Sequence, residues 1–196
     1  PLKRGQIILS YFVSAAFSSV ILTGIILAVG LAIICMHGDI YLGGIDILKA
    51  FGVVAWGSIS ATSIFMIVVL FLKSVSASGA FFGLLSAVSG FIIGAYIPIS
   101  QFSEAVQTVC NIFPASQITI VLRNVLINGL LEHMNISLAG VEHGMFVTII
   151  KELFSFKARI FNGYLDVTQM LGYITVSILV CIGVQIIVYS KTYKKT

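Results

Sequence analysis

Charge is scarce in this chain. Only 18 of its 196 residues are charged, 11 Lys or Arg and 7 Asp or Glu, where a soluble domain of that length would carry about a quarter, roughly 49. Disorder is excluded by the same shortage, since disordered segments are polar and charged. The net charge of +4 is modest, and the basic residues stand beside apolar runs rather than in one dense patch, which argues against nucleic acid as a partner. Cysteine is sparse too. Cys35, Cys110 and Cys181 are too few and too scattered for a disulfide framework or a zinc site, and they read as small apolar packing residues.

Hydrocarbon fills the chain instead. The hydrophobic fraction is 59% and the mean hydropathy +1.11, and a water-soluble globule has nowhere to put that much apolar surface. The expected fold is all-α: a polytopic helix bundle in a lipid bilayer. The chain opens at Pro1 without a short apolar core and small-residue cleavage site, so no signal peptide is expected. It reads instead as a segment of a longer chain.

A membrane helix needs about 20 apolar residues, each rising about 1.5 Å through a core near 30 Å. Four stretches meet that length: about 7–36, 50–72, 76–97 and 170–189. The first is long enough that it must tilt or begin along the interface. If both ends are cytoplasmic, that side carries Lys3, Arg4, Lys73, Lys191, Lys194 and Lys195 and no acid, while every Asp and Glu falls outside. The positive-inside rule favours this topology in a cell membrane. A tight hairpin, 73–78, joins the second and third spans, and the Gly-rich segment 36–49 joins the first and second.

The outer segment, 98–169, carries most of the polar residues. Pro98 is expected to end the third span, because its ring removes a backbone donor. Ser100 is a candidate N-cap, with Glu104 in the following turn where the helix dipole favours negative charge. Pro114-Ala-Ser116 then breaks the chain before a second helix over 117–131, with Arg123 off its apolar face. Two short apolar helices around a proline turn fit a re-entrant hairpin, neither long enough to cross. The competing arrangement lays both helices flat on the surface. Beyond Asn135, residues 141–159 show amphipathic spacing, with Phe146, Ile149, Ile150, Leu153 and Phe154 set against Glu142, Lys151 and Lys157, which predicts an interfacial helix.

Candidates for chemistry are few. Gly79, Gly83, Ser86, Gly90 and Gly94 recur at three- and four-residue steps in the third span, a stripe that lets helix backbones approach closely in lipid. Packing within one subunit is its plainer reading, and a sliding or subunit interface its sharper one. Gly24, Ala28 and Ala32 form a second such row. None of the four predicted spans holds an acidic residue, which counts against a carrier coupled to an ion gradient. Thr23 and Gln185 could line a path, though polar residues at such positions more commonly bond one helix to another. Glu132-His133 and Glu142-His143 lack the i, i+4 spacing of a metal site, so no metal is expected. No catalytic triad, phosphate loop or paired catalytic carboxylate is present, and no catalytic residue is assigned.

The run Gly90-Phe-Ile-Ile-Gly94-Ala-Tyr-Ile-Pro98-Ile, then Phe113-Pro114-Ala-Ser116, then Leu122-Arg123 resembles a motif of the type-2 permeases of ATP-binding cassette exporters, especially small bacterial ones. The opening Pro1-Leu-Lys-Arg4-Gly-Gln-Ile-Ile-Leu is similar to the cytoplasmic segment before that family's third span. The family commonly has proline where Ser103 stands. The resemblance implies six spans per subunit, of which these would be the last four. It implies a dimer of permease subunits, identical or not, bound to cytoplasmic ATPases. ATP would act through that partner, with no cofactor on this chain, to export drugs, peptides, lipids or glycans. On the same footing, Lys3, Arg4, Gly5 and Gln6 would meet the ATPase, and a hairpin including Pro98, Glu104, Pro114, Ser116 and Arg123 would guard the outer exit. An accessory four-helix protein packed against other membrane subunits is the alternative.

Overall fold

The computed structural model describes residues 4–37, 41–72, 74–137 and 144–192. Helix α1 spans Arg4–His37, α2 Gly44–Phe71, α3 Val75–Ile92, α4 Glu104–Ile112, α5 Pro114–Ser137, α6 Met145–Leu153 and α7 Val167–Thr192. A short 3-10 turn, Ile99–Gln101, precedes α4, and a two-stranded hairpin, β1 (Ala158–Ile160) and β2 (Gly163–Leu165), precedes α7. Helices α1, α2, α3 and α7 are each long and apolar enough to cross a membrane. They carry exposed side chains such as Phe17, Ile26 and Leu179, each about two-thirds exposed or more, which water would not tolerate over so wide a surface and lipid does. This is an all-α, multi-pass membrane bundle.

Local chemistry explains the helix ends. The Asp46 carboxylate accepts from the Gly43 N–H at 3.3 Å and from Lys49 Nζ at 3.0 Å, so α2 begins inside the predicted 36–49 linker rather than at Ala50. Ser74 Oγ accepts from the Ala77 N–H at 3.1 Å and starts α3. Helix α7 starts at Val167, earlier than predicted, where Gln169 Oε1 accepts from the Asp166 N–H at 3.0 Å.

The long helices pack through named contacts. Thr23 Oγ1 meets Ser58 Oγ at 2.7 Å, joining α1 to α2, and Gln185 Nε2 donates to the Ser63 carbonyl at 2.6 Å, joining α7 to α2. Both polar residues therefore bond helix to helix. A Cβ on Gly5 would touch Ile186 at 3.5 Å, so α1 begins where α7 ends and the two described termini share one end of the bundle. A core of Val53, Ile120, Val121, Ala158 and Met170 joins α2, α5, β1 and α7. Cys110 is buried and Cys181 half-buried, but Cys35 is exposed, so the packing reading fails for Cys35.

Four features depart from expectation. First, α3 ends at Ile92, not Pro98. Gly94 adopts φ +70°, the Ala95 N–H donates to the Gly90 carbonyl at 2.9 Å and the Gly94 N–H to the Phe91 carbonyl at 3.2 Å. That is a Schellman cap, with glycine at the left-handed position where a side chain would be strained. Second, the N-cap of α4 is Ser103, not Ser100, which lies in the preceding 3-10 turn. Third, α5 starts at Pro114 and has 24 residues, or about 36 Å of helix, longer than the predicted 117–131; it is long and apolar enough to cross only when taken together with α4 as a bent pair. Fourth, the predicted helix over 141–159 is only Met145–Leu153. Ser155 at φ 54° turns the chain into the hairpin, which pairs Ala158 with Leu165 and Ile160 with Gly163 around Phe161, itself at φ 51°.

Candidate functional site: the helical elbow

Helices α4 and α5 meet at 94°. Phe113 leaves the helical conformation with ψ 122°, and Pro114 occupies the first position of α5, where a missing N–H costs nothing. The elbow sits deep against α2. A Cβ on Gly57 would lie 2.8 Å from Ile118 Cγ2, and Gly57 stands roughly 20 Å along α2 from Gly44, near its midpoint. Farther along α5, a Cβ on Gly129 would meet the Tyr41 carbonyl oxygen at 2.1 Å, and the Tyr41 ring stacks on His133 with centroids 4.0 Å apart. Helix α5 thus runs back along α2 from the middle of the bundle toward the α1–α2 connection. A sharply bent helix pair packed on that course is a broken span or a re-entrant loop.

Polar side chains hold the elbow. Asn111 is the hub: its Nδ2 donates to the Arg159 carbonyl at 2.9 Å, its Oδ1 accepts from Ser116 Oγ at 2.9 Å, and its own carbonyl accepts from Gln117 Nε2 at 2.7 Å. Asn124 Nδ2 donates to the Phe156 carbonyl at 2.9 Å, and Thr108 Oγ1 accepts from the Phe161 N–H at 3.1 Å. Gln107 Nε2 reaches the Ser100 and Phe102 carbonyls at 3.2 and 2.8 Å. In an apolar setting each unpaired amide would cost roughly 1–3 kcal/mol, so the network secures the elbow between the post-α3 loop and the β-hairpin. Two buried atoms, Ser60 Oγ and Gln117 Oε1, lack a hydrogen-bond partner among the described residues.

Arg123 ties the elbow to the end of α3. One guanidinium nitrogen donates to the Gly94 carbonyl at 3.2 Å and the other to the Phe154 carbonyl. It does not meet Glu104, which pairs with Arg159 at 2.7 Å. Pro98 caps the 3-10 turn, Pro114 and Ser116 are buried in the elbow, and Glu104 is exposed on the first turn of α4. Gly94, Asn111, Ser116 and Arg123 therefore belong to one connected structure, although they are distant in sequence.

The other predicted residues lie elsewhere. Lys3 is outside the described residues, while Arg4, Gly5 and Gln6 open α1, with Gln6 exposed. The stripe on α3 divides. Gly79 and Gly83 have open space where a Cβ would go, and Ser86 is exposed. Gly90 is covered by the Tyr96 ring, 2.2 Å from such a Cβ, and Gly94 is the helix cap. Helix α3 stands apart from the bundle, touching α2 through Phe82 set edge-on to Phe65 at 5.7 Å. Glu142 and His143 lie outside the described residues, and among the described residues no three His, Cys, Asp or Glu side chains converge.

Sequence reasoning missed Asn111, Gln117 and Asn124. Their signal was present: amides inside otherwise apolar helices must find partners. It also missed the hairpin, although Asn162-Gly163 between Arg159-Ile160 and Tyr164-Leu165 is a turn signal. In chemical terms the elbow is a clamp of neutral amides and one guanidinium, all directed at backbone carbonyls or one another. Compared with known proteins, the chain matches no family model, no curated protein and no solved structure.

Proposed function

We propose that this chain is a membrane permease subunit of an ATP-binding cassette exporter, moving a hydrophobic or amphipathic substrate such as a drug, peptide, lipid or glycan. One observation supports the reading: residues of the run that resembles the type-2 permease motif converge on the elbow. Arg123 holds the carbonyl of Gly94, and Ser116 bonds the Asn111 side chain beside Pro114. A motif whose members are joined in space behaves as one part. On this reading the elbow blocks the outer end of the pathway and moves with the long helices, which a separate ATPase drives from the end where Arg4 to Gln6 lie. A second permease subunit completes the pathway.

Co-expression tests it. An ATPase expressed with the full-length chain should co-purify with it, and its turnover should fall when residues 3–6 are replaced by Ser. Full ATP-dependent export in cells lacking that ATPase would overturn the proposal. The second reading, an accessory helix bundle packed against other membrane subunits, draws on the open space beside Gly79 and Gly83 of α3. It predicts stable co-purification with an integral membrane partner and no ATPase.

A further inference from the structure

Helices α2, α5 and α7 leave an open-sided cavity of about 530 Å³ between them. Its walls are almost wholly apolar, formed by Trp56 of α2, Val121 and Val125 of α5, and Leu171 and Gly172 of α7. Among the described residues, Lys49 of α2 is the one charged residue lining it. Lys49 stands roughly 8 Å along α2 from Gly44 and Trp56 roughly 18 Å, so the charge lies toward the helix end and the apolar walls run toward the bundle centre.

An apolar chamber with a cation at the shallow end has the polarity of an amphiphile, apolar tail deep and anionic group shallow. Lys49 Nζ has three donors, one of which goes to Asp46 Oδ1 at 3.0 Å. Among the described residues no other acceptor bonds Lys49 Nζ, which leaves two donors for an anionic oxygen. In a bilayer, the amphiphile with those parts is a phospholipid. We infer that this cavity binds one acyl chain of a phospholipid, whose phosphate is held by Lys49. The inference needs the membrane-spanning fold but not the exporter reading.

Trp56 is the only tryptophan in the chain, which makes the cavity directly observable. The full-length protein in detergent micelles is titrated with phospholipid carrying brominated acyl chains, and Trp56 fluorescence is followed. The expected result is quenching that saturates at a low mole fraction, alike for phosphatidylglycerol and phosphatidylcholine, because both carry the phosphate. Brominated diacylglycerol has the same chains without phosphate and should need about 5–10-fold more for half-quenching. Lys49→Gln should remove that difference.

Gly52 and Gly172 face the cavity, and neither would bring a Cβ within 4 Å of a neighbour. Gly172→Leu therefore fills the chamber without a backbone clash and should abolish the saturable phase at an unchanged melting temperature. Gly52→Leu, on the opposite wall, repeats the test should the first variant fold poorly. Quenching that rises linearly with mole fraction, equal binding of diacylglycerol, or saturation unchanged by both leucine variants would overturn the assignment.

Discussion

Arg123 of α5 donates to the Gly94 carbonyl at 3.2 Å across the junction between α3 and the elbow. The same guanidinium holds the Phe154 carbonyl, so one side chain joins three segments that sequence keeps far apart. Its planar fork suits two acceptors at once, which a lysine ammonium on a flexible stem does not match.

Replacing Arg123 with Ala leaves both carbonyls without this donor. Bonds to charged groups contribute about 1.5–3 kcal/mol, which for a chain of this size is a fall in melting temperature of about 3–12 °C. Arg123→Lys should recover part of that loss. Thermal unfolding in detergent measures both, and an alanine variant as stable as wild type would show that the two carbonyls do not depend on the guanidinium.

Gly94 and Gly83 belong to one stripe in sequence yet should respond with opposite signs. At Gly94, φ is +70° and Ile99 Cγ1 lies only 2.7 Å from where a Cβ would stand, which makes Ala unfavourable, the left-handed conformation alone costing about 1–2 kcal/mol. At Gly83 a Cβ meets nothing within 4 Å, and Ala is favoured over Gly in a helix by up to about 1 kcal/mol. Gly94→Ala should therefore lower the melting temperature, and Gly83→Ala leave it level or raise it. Equal losses at both positions would contradict the cap assignment.

At Gly129 the obstacle is backbone rather than side chain. A Cβ there would sit 2.1 Å from the Tyr41 carbonyl oxygen, so Gly129→Ala must push the α1–α2 connection off α5 and disturb the Tyr41–His133 stack. Overpacking of this kind costs about 1–3 kcal/mol. Faster proteolysis of the segment around Tyr41, with the helices still protected, is the expected reading. An unchanged cleavage rate would mean that the connection is not held by this contact.

Much of the architecture was legible because lipid imposes a coarse rule. A run of about 20 apolar residues can hardly do anything but span, and each of the four stretches became a helix. Helix ends were harder to read. Pro98 looked like the stop of α3, but Gly94 stops it earlier. Glycine is so common in membrane helices that its capping role looks the same in sequence as a packing role. Asn111 shows the limit for the site. That an amide in an apolar helix must be bonded follows from its chemistry, but its partners Arg159, Ser116 and Gln117 depend on how the elbow folds against the hairpin.

Composition decides the solvent, because the free energy of moving that much hydrocarbon out of water outweighs any local preference, and it sets which segments cross. Assembly decides the rest. The depth of the elbow beside Gly57, the reach of Arg123 to Gly94 and Phe154, and the chamber behind Lys49 arise from contacts between residues remote in sequence. Such contacts are short-ranged and shape-dependent, and so they exist only once the helices have packed.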